Sequence, residues 1–133
     1  MEDNNELIQI SETKKLLKVK RAMIDGSTFE DVSAKNMKIT DANLSDLEIE
    51  GAQIGGAFIH NIGMPPEGHP FHDPNARQRP IRFEDCDLRD TTITNCNLEN
   101  LVINDCNVKG MTINGILLED LLKDKENSHP PIT

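Results

Sequence analysis

From Ile24 onward, apolar side chains recur at every fifth position: Phe29, Ala34, Ile39, Leu44, Ile49, Ile54, Ile59 and Met64. A second run passes through Phe83, Leu88, Ile93, Leu98, Ile103, Val108, Ile113 and Leu118. An amphipathic helix repeats its apolar residues at i, i+3, i+4 and i+7 and a half-buried strand alternates, so a strict period of five fits neither element. The backbone must turn a corner in each unit. Two residues before each centre stands a second inward candidate, usually small or apolar, such as Val32, Ala42, Leu47 and Ala52, then Cys86, Cys96, Leu101 and Cys106. A separation of two puts both side chains on one face of a short extended segment.

Two residues after each centre from Ile24 to Ile59, and from Phe83 to Leu118, the chain admits only Gly, Asn or Asp. The set includes Gly26, Asp31, Asn36, Gly51 and Gly56 in the first run, then Asn95, Asn100, Asp105, Gly110 and Gly115 in the second. These residues tolerate left-handed backbone and stabilise turns, so a β-turn is expected in every unit. Extended pair and turn alternate, and the chain winds into a coil.

The triplets Ala42-Asn43-Leu44, Cys86-Asp87-Leu88, Cys96-Asn97-Leu98 and Cys106-Asn107-Val108 resemble the A-(D/N)-L-x-x unit of the pentapeptide-repeat family. The resemblance covers roughly residues 22–64 and 81–118. It implies an all-β fold, a right-handed quadrilateral parallel β-helix with four pentapeptides to a coil. The implied core ladder is Phe29, Ile39, Leu44, Ile49, Ile54, Ile59, Phe83, Leu88, Ile93, Leu98, Ile103, Val108 and Ile113. Coils would lie about 4.8 Å apart, and about four of them make a column roughly 20 Å tall. On that geometry Cys86 and Cys106 stack while Cys96 faces from the opposite side, so the three cysteines mark the coil and share no metal site.

The whole chain, 1–133, is read as one domain. Residues 1–21 form an N-terminal cap, a strand or short helix, with a basic run of Lys14, Lys15, Lys18, Lys20 and Arg21. Residues 22–64 are the first repeat run and 81–118 the second. Between them, 65–80 is an inserted loop that breaks the register. Its five prolines (Pro65, Pro66, Pro70, Pro74 and Pro80) deny it helix and ladder hydrogen bonds but make it stiff. Near the end, Leu117, Leu118, Leu121 and Leu122 adopt helical spacing, predicting a capping helix over 117–126 and a tail over 127–133. As in any solenoid the open ends need covering, and the helix is a lid or a dimer contact.

Composition narrows the function. With 23 acidic against 14 basic side chains the formal net charge is -9, which disfavours direct binding to nucleic-acid phosphates and suits a protein partner with a basic surface. No apolar stretch approaches the length of a membrane span, and MEDNNELIQI lacks the features of a signal peptide, so no membrane association and a cytoplasmic location are expected. No nucleophile, base and orienting group can be nominated together, so no enzyme, cofactor or catalytic residue is expected. His69, His72 and Asp73 are metal-binding residue types, yet their spacing matches no closed ligand set and no metal is expected.

The candidate partner-binding residues are His69, Phe71, His72, Arg77 and Arg79 on the loop, because aromatic and Arg side chains dominate interface hot spots. The function expected is a non-enzymatic protein-protein interaction module, an acidic column displaying a Pro-rich loop, monomeric or paired through its C-terminal end. The resemblance also implies an alternative: some bacterial relatives mimic duplex DNA and modulate type II topoisomerases such as gyrase, protecting them from quinolones. Residues 21–64, with seven acidic against three basic side chains, and 81–118, with six against three, fit such mimicry. The shortness of the column speaks against it.

Overall fold

The computed structural model describes residues 6–127, with side chains described through Lys123. It divides into two compact units, one ending at Ile59 and one starting at His60. In both, the recurrent feature is a corner at every fifth residue with left-handed backbone. In the first unit φ is positive at Arg21, Gly26, Asp31, Asn36, Asp41, Asp46, Gly51 and Gly56. In the second it is positive at Asn61 and then at Asp85, Asp90, Asn95, Asn100, Asp105 and Gly110. For most L-residues this conformation costs about 1–2 kcal/mol, and Gly, Asn and Asp suffer least, which is why they fill the row. Arg21 (φ 52°) extends the row one unit earlier than its residue type suggests.

The corners are of two alternating kinds. At Gly26, Asn36, Asp46 and Gly56, and again at Asp90, Asn100 and Gly110, the carbonyl two residues before the corner accepts the amide one residue after it, with N···O distances of 2.9 to 3.3 Å. Only the third residue of each such turn has positive φ, the pattern of a type II turn. At Asp31, Asp41, Gly51, Asp85, Asn95 and Asp105 no such backbone bond forms, and these corners are open.

Asx residues explain part of the difference. Asn43, Asp87, Asn97 and Asn107 each stand one residue before the centre of a closed corner, and each accepts through Oδ1 the backbone N–H two residues on, at 3.0 to 3.2 Å. The Asp or Asn of the repeat triplet is therefore a local clamp that orients the turn.

Among the described residues no parallel ladder between coils is formed. No described residue is buried, and ladder residues such as Phe29 (63% exposed) and Ile103 (48% exposed) stand open. The strands assigned are β1, Thr112–Ile113, and β2, Ile116–Leu117, and they pair antiparallel. A corner is specified by residues within one pentapeptide, whereas a ladder joins residues about twenty positions apart. Residues 6–20, expected as a strand or helix, hold neither and bend at Glu12 (φ 49°).

The second run ends in a hairpin that interrupts the coil. Asn114 (φ 50°) and Gly115 (φ 82°) are both left-handed, the requirement of a two-residue type I′ turn, and they join β1 to β2 with Ile113 opposite Ile116. The Leu118 amide donates to the Met111 carbonyl at 2.9 Å, extending the pairing. Helix α1, Leu118–Asn127, starts directly after β2, one residue later than the sequence spacing predicts, and Glu119 and Asp120 in its first turn suit the positive end of its dipole. Val108, Met111, Leu118 and Leu121 are half-buried where the last corner, hairpin and helix meet. The expected tail beyond Asn127 lies outside the described residues.

Candidate functional site

The inserted loop is built from three successive turns. His69 donates its amide to the Pro66 carbonyl (3.0 Å), His72 to His69 (2.9 Å) and Ala76 to Asp73 (3.1 Å). Pro70 and Pro74 occupy the second position of the latter two turns, where the fixed φ of proline is preorganised. In the first, Gly68 supplies the required positive φ of 92°. The prolines thus exclude helix and ladder, as the sequence suggests, and also build the turns that replace them.

Side chains lock these turns together. Asp73 Oδ1 accepts the Asn75 amide at 2.9 Å, and His69 Nδ1 accepts the Phe71 amide at 3.0 Å. His72 Nδ1 lies 2.9 Å from the Pro65 carbonyl. A carbonyl can only accept, so this nitrogen carries the proton, and in the neutral ring Nε2 is left as an outward acceptor. His69 holds the opposite tautomer, with Nδ1 accepting and Nε2–H available as a donor. Pro65 and Ala76 are half-buried at the two ends of this assembly.

The loop brings His69 and Phe71 together, their ring centroids 5.8 Å apart and tilted by 44°. Phe71 is 80% exposed. Phe58, one residue before Ile59, is 81% exposed. Arg77 is exposed and makes no hydrogen bond or ion pair among the described residues, and Arg79 is exposed as well. The loop therefore carries one exposed aromatic ring, one histidine donor, one histidine acceptor and the Arg77 guanidinium, and of these the structure brings together His69 and Phe71. Among the described residues no group of three His, Cys, Asp or Glu is placed to hold a metal ion.

The cysteines have a different task. Cys86, Cys96 and Cys106 are free thiols, each directly after an open corner, and each Sγ–H donates back across that corner to the carbonyl of Glu84, Thr94 or Asn104 at 3.1 to 3.3 Å. A thiol is a weak donor, yet here it spans a turn that no backbone bond closes. Sequence reasoning finds their period of ten but not this bond, because nothing in the residue types separates open from closed corners except the Asx clamp.

Electrostatics resolve one perturbed pair. The Arg89 guanidinium meets Asp87 through Nε–Oδ1 at 3.0 Å and Nη2–Oδ2 at 2.7 Å, and with the Arg89 backbone amide it holds the Asp87 carboxyl below its ordinary range. The same bonds raise Arg89. At the N-terminal side, Thr13, Lys14 and Lys15 come beside Ser33 and Lys35 around an open depression of about 430 Å³.

Comparison with known families matches residues 81–120 to pentapeptide repeats, in eight copies. No curated protein and no solved structure matches the chain. Residues up to Asn61 share the five-residue row of left-handed corners found in the matched segment.

Proposed function

Starting from a chain that belongs to the pentapeptide-repeat family through residues 81–120, we propose that it is a non-enzymatic protein-protein interaction module. Its acidic repeat faces form the scaffold, and the loop 65–80 presents the contact residues to a partner with a basic or mixed surface. The observation that carries this reading is the self-locked loop. Three hydrogen-bonded turns and the His72 to Pro65 bond order it without help from a core, and Phe71 is left 80% exposed. An ordered loop with a projecting aromatic loses little entropy on binding, which is the economy that hot spots exploit.

We take the repeats to close into the right-handed quadrilateral β-helix general to the family, about four coils high. That closure would bury the inward positions, Cys86, Cys96 and Cys106 among them. Thiol titration reads it directly: closed coils protect the three cysteines from a thiol reagent, and open coils leave all three reactive. The function itself is tested by affinity capture with the intact chain and with a Phe71→Ala, Arg77→Ala double variant. A protein retained by the first and lost by the second supports the loop as the contact. Equal retention by both removes the loop from the reading.

A further inference from the structure

The hairpin that ends the repeats carries a chemical liability of its own. Asn114 is the asparagine in this chain that a glycine follows, and the pair forms the two central residues of the hairpin turn. Each other asparagine is followed by a residue with a side chain. That neighbouring side chain, where present, crowds the backbone nitrogen, whereas space around Gly115 is open, with nothing within 4 Å of where a Cβ would stand. Asn114 and Gly115 are exposed, and no hydrogen bond among the described residues holds the Asn114 side-chain amide. By contrast Asn43, Asn97 and Asn107 have their side-chain oxygens engaged by turn amides.

We propose that Asn114 is a site of spontaneous deamidation, and that the modification acts on the joint between the repeats and helix α1. The backbone nitrogen of Gly115, after giving its proton to solvent base, attacks Asn114 Cγ. The N–Cγ bond forms, the Cγ–Nδ2 bond breaks, and Nδ2 leaves as ammonia after taking a proton from water. The product is a five-membered succinimide. One water then adds to either of its two carbonyls and opens the ring, giving aspartate or, when the main chain is left running through the side-chain carbon, isoaspartate. The net change is amide plus water to carboxylate plus ammonium, with no oxidant or reductant.

In the left-handed conformation of Asn114 the Gly115 nitrogen points away from Cγ, so cyclisation requires the turn to open. Opening is undemanding here. The hairpin has two residues in each strand, and an isolated two-stranded hairpin is marginal at best. Aspartate can retain the left-handed turn and adds one negative charge. Isoaspartate inserts an extra carbon into the main chain, which a two-residue turn cannot absorb. The pairing of Ile113 with Ile116 is then lost, and with it the bond from Leu118 to Met111 that starts α1.

The test is to age the full chain at neutral pH and follow each asparagine by peptide mapping with mass spectrometry, together with labelling by an isoaspartyl methyltransferase. The expected result is that the peptide holding Asn114 gains the mass difference between hydroxyl and amide before any other, splits into two chromatographic species and takes up the methyl label. Adding urea should accelerate the change, and Asn114→Gln should abolish it. Modification in urea but none in its absence would overturn the proposal, showing that the hairpin protects the site. So would equal rates at Asn95, Asn100 and Asn114. The wild-type measurement stands whether or not the Gln variant folds.

Discussion

The adjacent glycines Gly55 and Gly56 allow the cost of a corner to be isolated. Both sit in the closed turn that begins at Ile54, and a Cβ added at either would meet nothing within 4 Å. They differ in backbone alone: Gly56 has φ +79°, and Gly55 lies outside the left-handed region. Replacing Gly by Ala stiffens the unfolded chain equally at either position, worth about 0.4–1 kcal/mol in favour of the folded state. At Gly56 this gain is opposed by the left-handed conformation, which costs an L-residue about 1–2 kcal/mol. Gly55→Ala should therefore stabilise slightly and Gly56→Ala destabilise or break even. The difference between them is about 1–2 kcal/mol, a factor of about 5–30 in the unfolding equilibrium. With a urea dependence of about 2 kcal/mol/M for a small protein, the two variants should melt roughly half to one molar apart, read by far-ultraviolet circular dichroism. Because the unfolded-state term cancels, coincident midpoints would refute the claim that positive φ at the corners governs stability.

At the helix, Leu118→Ala should cost about 1–2 kcal/mol, since a half-buried leucine forfeits roughly half the transfer energy of a core one, and Leu122→Ala, at the more exposed position, should cost less in the same urea melts. For Asp87, a carbon-detected NMR titration should place the carboxyl below its ordinary range in the intact chain and return it to that range in Arg89→Ala. Because the folded value is the lower one, any stability the pair contributes is present above the ordinary carboxylate range and is lost as pH falls through the lowered value; full exposure keeps that contribution small. Gyrase supercoiling, with or without a quinolone, should be unaffected by micromolar chain; a dose-dependent inhibition or protection would replace the loop-centred reading with DNA mimicry.

How far the residues speak for the fold depends on the range of the interaction. The corners at Gly26 and Asn95 follow from residue type, because left-handed φ is a local demand met by a short list of side chains. Arg21 carries no such signal, and its corner is visible only in the backbone. Asn114-Gly115 is among the strongest hairpin dipeptides, yet Gly115 also falls on the five-residue row, and the longer period masks the turn. Stacking of one coil on the next, as of Cys86 on Cys106, is a proposal about residues twenty positions apart, a range that the residue types within one pentapeptide do not address. In the loop, five prolines announce irregular backbone, but the bond from His72 to Pro65 depends on turn geometry that residue types leave open.

The alternation of closed and open corners gives the chain a reading frame of ten residues where the apolar pattern shows only five. A tandem duplication of ten residues within a run would be silent, since each Asx clamp would still precede a closed corner and each cysteine would still follow an open one. A duplication of five would be a frameshift. It would set Asn97 before a corner that needs no clamp and move Cys106 to a corner already bonded by its backbone, while leaving every apolar residue in register. The interval between the closed corners at Gly56 and Asp90 is not a multiple of ten, so the Pro-rich loop is where the frame was free to reset. Lineages of this chain should accordingly gain and lose length in tens inside the runs and in any number within the loop.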